Sequence, residues 1–271
     1  MNAQGRLAAT ISRAIAPRRP MRVSDWAAAN RVLSSKASNE PGRWRNERNP
    51  LLVEPMDCFS ARSPVREVVC RLPIQFGKSE LESNVLGYTI DEVGGPIMVC
   101  LPGEVSQGKW IDQKLNPLLE ETPAVRRRLA STASRDAANR RTFKDFEGGQ
   151  LYVEHAGSPE RLKSTSVRTL IVDEFSSFAN ALRSGDDPDL MLDGRTSAFP
   201  ATYKRLKVGT PGIKGICRID TLYARSDQRR WYMPCPDCGH KQPFEWSGLH
   251  WTPDASACWY VCRECGVVIE E

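Results

Sequence analysis

The sequence lacks any long apolar run. No stretch of its 271 residues approaches the roughly 18 consecutive apolar residues that a membrane-spanning helix needs, so we predict a soluble protein with no membrane partner. The first stretch, MNAQGRLAATISRAIAPRRP, contains no acidic residue, but it also lacks the uninterrupted apolar core and the cleavage site of a targeting peptide. A basic N-terminal arm is the favoured interpretation. Internal repeats and low-complexity tracts are absent as well, which leaves a globular chain.

Charge is spread unevenly along this globular composition. The sequence is 40% hydrophobic and 26% charged, with a formal net charge of +5, and arginines concentrate near the N-terminus. In EPGRWRNERNP, Arg43, Arg45 and Arg48 surround Trp44. These residues are able to contact a nucleic-acid backbone or a base, although a solvated loop anchored by one tryptophan is the more common role of such a stretch.

The pattern divides the chain into three parts. They are an N-terminal arm and helical segment (1–63), a core (64–228) and a cysteine-rich module (229–271). In the first part, SDWAAANRVLSS predicts a helix with Ser24 as N-cap and with Trp26, Ala29 and Leu33 on one face. In the core, short apolar runs alternate with longer mixed ones, which is typical of strands joined by crossover helices.

Apolar runs rich in Val, Ile and Leu, without strict alternation, predict parallel strands covered on both faces. They are REVVCRL, PIMVCL, LYVEHA, VRTLIVD and YKRLKVG. Residues 78–91 and 104–120 are predicted helices. The expected fold is therefore α/β, with a mostly parallel sheet flanked by helices.

The stretch RLPIQFGKSE lies where a strand turns through a tight loop into a helix, which is the context of a phosphate-binding loop. Backbone N–H groups at a helix start attract phosphate oxygens. Lys78 would reach the β and γ phosphates of ATP, Ser79 would bind Mg²⁺ and Gly77 would allow close backbone approach. However, Leu72 replaces the usual first glycine and Pro73 has no N–H. A surface helix that merely starts with Gly-Lys-Ser is the alternative.

Two further strand ends support the nucleotide interpretation. VRTLIVDEF ends in Asp173, which would hold Mg²⁺ through water, and in Glu174, which would polarise the attacking water. The alternative is that both acids only cap the next helix. YKRLKVGTPG places Thr210 after another strand, where it would sense the γ phosphate; by itself GTPG is simply a turn.

Two Cys-x-x-Cys-Gly knuckles near the C-terminus predict a structural zinc site. Their sulfurs come from Cys235, Cys238, Cys262 and Cys265. Four cysteines close the tetrahedral shell of Zn²⁺ and leave no position for water. A redox dithiol and an iron–sulfur site are the alternatives.

The residues between and around the knuckles are expected to complete a small folded module. KQPFEW and LHWTP are predicted to form a hairpin. Cys258 and His240 are possible substitute ligands, with packing and a surface position as the favoured roles. The four neighbouring tryptophans are expected to form a small core rather than a base-stacking platform. They are Trp231, Trp246, Trp251 and Trp259.

Most of the chain resembles the large subunit of tailed-phage DNA-packaging terminases of the lambda type (GpA-like). The resemblance runs through SDWAAANRVLSSKASNEPGRWRNERNPLLVEPMDCFS, through QFGKSE, and through HAGSPERLKSTSVRTLIVDEF. It continues in YARSDQRRWYMPCPDCGHKQPFEW and WYVCRECGVVIEE, which resemble the zinc-ribbon insert. The loops of this family also dispense with the first glycine.

The resemblance implies a P-loop NTPase fold of the ASCE type with a small C-terminal zinc ribbon, and an ATPase that moves double-stranded DNA into a procapsid. It implies ATP, Mg²⁺ and Zn²⁺ as cofactors, with Thr210 and Asp173 joined to a nucleotide loop of Gln75, Phe76, Gly77, Lys78 and Ser79. Arg71 and Arg195 are the candidate arginines beside Lys78 and Glu174 for stabilising the transferred phosphate. The implied partners are sequence-independent DNA, a small terminase subunit, a portal and a homo-oligomeric ring, all in the host bacterial cytoplasm.

One departure from the family is large. Its large subunits continue into a metal-dependent nuclease, whereas this chain ends shortly after the second knuckle, without an acidic cluster for a two-metal site. We therefore expect endonuclease activity only from a longer chain. Two other functions fit the motifs: a zinc-ribbon helicase or remodelling ATPase, and a non-enzymatic DNA- or protein-binding adaptor with a decayed loop.

Overall fold

The computed structural model shows two compact units, Met1–Tyr223 and Ala224–Glu271. It describes residues 20–35, 38–129, 139–163, 165–179, 181–182 and 185–269. The division between the units falls after Tyr223, five residues before the predicted limit after residue 228. Within the described ranges, no helix is long and apolar enough to cross a bilayer.

The N-terminal segment packs into the first unit together with the core. It contains helix α1 (Val23–Asn30), the short strands β1 (Val32–Leu33) and β2 (Gly42–Arg43), and helix α2 (Val53–Asp57). Trp26 of α1 is fully buried, with its ring edge-on to Tyr88 at 6.4 Å between centroids. The Trp26 indole N–H donates to Asp91 at 2.9 Å. The predicted separate segment 1–63 is thus, in its described part, continuous with the core.

The predicted cap and buried face of α1 are wrong. The helix begins at Val23, so Ser24 lies inside the first turn and is buried. Ala29 is exposed and Leu33 lies in β1. The start is set by tertiary contacts, because the N–H groups of Val23 and Ser24 donate to Ser60 and Asp57 rather than to a local cap.

The first unit is built on a six-stranded sheet with the order β3-β8-β7-β4-β6-β5. The strands are β3 (Glu67–Arg71), β4 (Gly95–Leu101), β5 (Phe143–Phe146), β6 (Gly149–His155), β7 (Thr169–Val172) and β8 (Lys204–Gly209). All neighbours are parallel except β5, which pairs antiparallel with β6. The five predicted strands are confirmed. The edge strand β5 was missed because Lys144 and Asp145 interrupt its apolar pattern, as suits a protected edge.

Helices cover both faces of this sheet. They are α3 (Lys78–Tyr88), α4 (Glu104–Trp110), α5 (Asn116–Glu121), α6 (Pro123–Arg126), α7 (Pro159–Lys163), α8 (Pro188–Gly194) and α9 (Arg218–Ala224). π-helical turns extend α3 to Val93 and join α4 to α5. Alternate residues of β4 enter two apolar clusters: Ile97 and Val99 in one, Met98 and Cys100 in the other. The predicted α/β architecture is therefore correct.

The second unit contains two small antiparallel sheets. Strand β9 (Met233–Pro234) pairs with β10 (Lys241–Gln242), and β11 (Leu249–Trp251), β12 (Cys258–Val261) and β13 (Val268–Ile269) form the other sheet. The predicted pairing of KQPFEW with LHWTP is wrong. KQPFEW contributes β10, which pairs with β9, and LHWTP contributes β11, which pairs with β12.

The predicted tryptophan core of this unit is also wrong. Trp231, Trp246 and Trp251 are 47%, 75% and 50% exposed. Cys258 is exposed too. Buried positions include the knuckle residues Cys235 and Cys262. In so small a unit, the cysteine cluster takes the place of an apolar core.

Replacing Trp26 with alanine tests how strongly the N-terminal segment is integrated into the first unit. We expect Trp26→Ala to lower the free energy of unfolding by roughly 3–5 kcal/mol, because a large buried side chain and its bond to Asp91 are lost. Urea unfolding measures the change. Val105→Ala, at a position 72% exposed, is the control and should stay within about 0.5 kcal/mol; an equally small effect of Trp26→Ala would contradict this packing.

Candidate nucleotide-binding site

Three loops meet at one edge of the sheet. Strand β8 lies between β3 and β7, and all three run parallel. Their carboxyl ends therefore bring together Lys78 after β3, Thr210 after β8, and Asp173 after β7. This edge is where ligands bind in open parallel sheets.

The ammonium group of Lys78 sits at the centre of this edge. It donates to the carbonyl oxygens of Leu72 at 3.2 Å and Pro73 at 2.6 Å, and to the Thr210 hydroxyl at 2.8 Å. Burial lowers the pKa of Lys78, while the negative charge of Asp173 and its neighbours acts in the opposite direction. The side chain is thus held among oxygen atoms at the point where phosphate oxygens would bind.

The start of α3 offers a cradle for an anion. Gly77, the N-cap, has a left-handed backbone (φ 85°), and a Cβ there would lie 2.9 Å from both Asn49 Nδ2 and Leu52 Cδ1. Within the described residues, the backbone N–H groups of Lys78 and Ser79 have no acceptor. Free N–H groups at the start of a helix of this length suit phosphate oxygens.

The missing first glycine is explained by the path of the loop. Leu72 still follows the strand, since its N–H donates to Gly209 at 3.1 Å. The left-handed turns come later, at Gln75 (φ 59°) and Gly77. The carbonyl of Phe76 accepts from Asn49 at 3.2 Å, which holds the loop against the N-terminal segment. A glycine at position 72 is therefore not required.

Asp173 and Glu174 differ in environment although they are adjacent. Asp173 is buried, and its carboxylate accepts from the Glu174 N–H at 2.7 Å. Glu174 is exposed and adopts a left-handed backbone (φ 48°, ψ 41°), which is strained for a residue other than glycine. Partial burial and the charge of Asp173 raise the pKa of Glu174. Of the two acids, Glu174 is thus the more accessible.

A third carboxyl group, which the sequence motifs did not indicate, lies near Lys78 and Asp173. Glu82 lies one helical turn after Lys78, is fully buried, and accepts from the Trp110 indole N–H at 3.2 Å. Burial and the nearby charge of Asp173 raise its pKa well above the usual range. The spacing of four residues from Lys78 was the available signal, because it places both side chains on one helix face.

Ser176 was also missed. Its hydroxyl donates to the Thr210 carbonyl at 2.5 Å. The turn after β7 is thereby bonded to the turn after β8.

The structure does not bring either candidate arginine to Lys78. Arg71 is the last residue of β3 and so lies at the same end of the sheet as Lys78. Its guanidinium, however, donates to Asp220 at 2.9 Å and lies 4.2 Å from the centre of the Tyr223 ring, both on α9. Arg195 lies at the other end of β7, where its carbonyl accepts from Val167.

The four knuckle sulfurs in the second unit lie within 4.8 Å of one another. The pairs Cys235–Cys265 and Cys238–Cys262 are each separated by 3.8 Å. With Zn–S bonds of about 2.3 Å, the sulfurs of a tetrahedral site are about 3.8 Å apart. The donor set and its spacing therefore fit zinc, and the exposed Cys258 stays outside the cluster.

Residues 38–271 match the sequence model of the family described as phage terminase large subunit gpA, ATPase domain. The chain belongs to this terminase family. The resemblance read from the sequence motifs is thereby confirmed, together with the P-loop fold. No curated protein matches the sequence.

Solved terminase structures are similar to this chain at low identity. The large terminase of bacteriophage HK97 aligns with a TM-score of 0.56 and 11% identity over 76% of this chain and 42% of that chain. The ATPase domain of a Thermus phage large terminase gives 0.43 and 19% over 68% of this chain and 74% of that chain. The large terminase of a further, thermophilic bacteriophage gives 0.44 and 16% over 59% of this chain and 38% of that chain.

The first of these similarities shows the terminase ATPase fold. This chain spans less than half the length of the HK97 protein.

The buried Glu82 predicts a pH dependence for the stability of the nucleotide-free terminase unit. Because its folded pKa is raised, the folded state retains a proton that the unfolded state loses above about pH 4.5, so stability falls as the pH rises toward the folded pKa. Glu82→Gln should remove this loss, which amounts to about 1.4 kcal/mol for each pH unit that separates the folded from the unfolded pKa. Urea unfolding between about pH 5 and pH 8 measures it. The exposed Glu120→Gln serves as control, and parallel curves for Glu82→Gln and wild type would refute the assignment.

Proposed function

We propose that this chain is the ATP-hydrolysing motor domain of a terminase that translocates double-stranded DNA into a procapsid. The observation that carries the proposal is the meeting of Lys78, Thr210 and Asp173 at the carboxyl ends of three adjacent strands, with Glu174 beside them. Membership of the terminase ATPase family supplies the reaction class.

Phosphate binding would use groups that the site already presents. The N–H groups of Lys78 and Ser79 accommodate phosphate oxygens, and the Lys78 ammonium exchanges the carbonyls of Leu72 and Pro73 for the β and γ phosphates. The Ser79 hydroxyl and the Asp173 carboxylate are the residues that would hold Mg²⁺. That ion would neutralise charge on the phosphates when bound.

Glu174 would accept a proton from the attacking water, since it is the more accessible acid and its pKa is raised. Thr210 would register the γ phosphate, because its hydroxyl already bonds Lys78. The bond from Ser176 to the Thr210 carbonyl would pass loss of that phosphate between the two loops.

Two arginines are proposed to stabilise the transferred phosphate. Arg71 is at the same sheet edge as Lys78 and would have to leave Asp220 and Tyr223. Arg195 lies at the opposite end of β7 and would act on the nucleotide of a neighbouring subunit in a ring.

The remaining partners follow from the family. They are a small terminase subunit, a portal on the procapsid and further copies of this chain, in the host bacterial cytoplasm. Zn²⁺ would be held by the four knuckle cysteines as a structural ion, since no ligand position is left for water.

Hydrolysis assays test the motor chemistry. Lys78→Ala should reduce the ATP hydrolysis rate by about 100-fold or more, and Glu174→Gln on the order of 100- to 10,000-fold while nucleotide binding is retained. The rates are measured with and without double-stranded DNA at matched oligomeric state. Lys144→Ala on the edge strand β5 should leave them unchanged; absence of hydrolysis and nucleotide binding by the wild type would overturn the proposal.

Metal analysis tests the cysteine cluster independently. We expect about one Zn²⁺ per chain, lost in Cys238→Ser because a ligand is removed, while ATP hydrolysis by the first unit persists. Cys258→Ser is the matched control, since Cys258 is an exposed cysteine outside the cluster. Equal zinc content in both variants would show that the assigned ligand set is wrong.

A further inference from the structure

A polar cavity lies at the amino ends of the sheet strands, opposite the end that carries Lys78. Its volume is about 180 Å³, and four cationic side chains contribute to its lining. They are Arg62, Arg66, Arg168 and Lys204. Arg66 immediately precedes β3, Arg168 precedes β7 and Lys204 begins β8, so the amino ends of the same three strands gather these charges. We call this cavity the basic pocket.

The charges of the basic pocket are not neutralised by the described part of the chain. None of its described lining residues carries a carboxylate, and none of the four cations forms an ion pair there. Some other cations of this unit are paired, namely Arg45 and Arg48 with Glu40, and Lys207 with Asp189. The exposed Arg62 makes no hydrogen bond or ion pair within the described ranges.

Backbone carbonyls hold the other three cations in place. Lys204 donates to Cys58 at 2.9 Å, to Ser63 at 2.8 Å, and to Val65. Arg66 donates to the carbonyl of Ala201, and Arg168 to that of Val93 at 3.4 Å. Carbonyls orient these groups without cancelling their charge, so the pocket keeps a positive potential. Burial, with the charges of Arg66 and Arg168, lowers the pKa of Lys204 to about 8.

We propose that the basic pocket binds a phosphate group of the DNA backbone. Guanidinium groups donate to phosphate oxygens in a fixed planar geometry, and the polar residues Ser63 and Thr202 line the same cavity. Its volume is well above the roughly 10–15 Å³ that a single water molecule needs, which leaves room for a phosphate group. Contacts to phosphate carry no base information, so this binding is independent of DNA sequence. The choice of DNA rests on the proposed function.

The pocket and the nucleotide site occupy opposite ends of the same strand. Strand β8 begins at Lys204 in the basic pocket, and Thr210 follows its last residue beside Lys78. A phosphate held in the basic pocket would therefore contact the first residue of β8, the strand that is followed by Thr210 beside Lys78.

Equilibrium binding to labelled double-stranded DNA, without nucleotide, tests the pocket. Arg62→Gln should weaken binding about three- to tenfold and lower the slope of log affinity against log salt by about 0.9, equally for two unrelated DNA sequences. Arg168→Gln, verified as folded by circular dichroism, should act similarly. Arg127→Gln, an exposed arginine after α6, is the control that removes the same charge. Inorganic phosphate at constant ionic strength is the second probe, read as thermal stabilisation.

The outcomes separate this proposal from the motor function. If the wild type binds DNA and both variants retain its affinity and salt slope, the pocket assignment is overturned while the motor proposal stands. If the variants lose only stabilisation by inorganic phosphate, the site serves free phosphate and the assignment is likewise overturned. If the wild type binds no DNA, both proposals are overturned.

Discussion

The bond between the Lys78 ammonium and the Thr210 hydroxyl is the contact on which the rest of the site depends. It joins the loop after β3 to the loop after β8, and the carbonyls of Leu72 and Pro73 complete the shell around the charge. A partly buried ammonium needs such oxygen partners. The loop supplies these partners itself, so the proposed nucleotide binding would exchange one set of oxygens for another.

The site also holds backbone strain and a buried carboxyl group, whose cost the surrounding packing must offset. Gln75 and Glu174 have left-handed backbones, and the fully buried Glu82 lies beside Asp173. Such features persist only where neighbouring structure holds them. Here the N-terminal segment contributes directly, because Asn49 and Leu52 close over Gly77. The segment therefore contacts the candidate nucleotide loop as well as the core.

Local signals in the sequence predicted the framework well. Apolar runs predicted the five parallel strands. The residues after three of them indicated the candidate site, because these strands are neighbours in the sheet and their carboxyl ends lie side by side. The knuckle spacing likewise predicted a cluster that the structure assembles.

What the sequence did not predict depends on tertiary partners. Arg71 is long enough to point in several directions, and Asp220 and Tyr223 on a distant helix decide which one it takes. In the sequence, Glu82 cannot be distinguished from an exposed helical glutamate. In the fold it is fully buried and accepts a hydrogen bond from Trp110. The tryptophans of the second unit suggest a core by composition alone, yet three of them are largely exposed.

The most direct test of the account is a crystal structure of the chain with Mg²⁺ and a slowly hydrolysed ATP analogue. We expect the triphosphate at the start of α3, with the Lys78 ammonium moved from the Leu72 and Pro73 carbonyls to the phosphates and with Asp173 facing the ion. A triphosphate bound elsewhere, or bound while Lys78 keeps both carbonyl bonds, would contradict the central claim that these three strand ends form one nucleotide site.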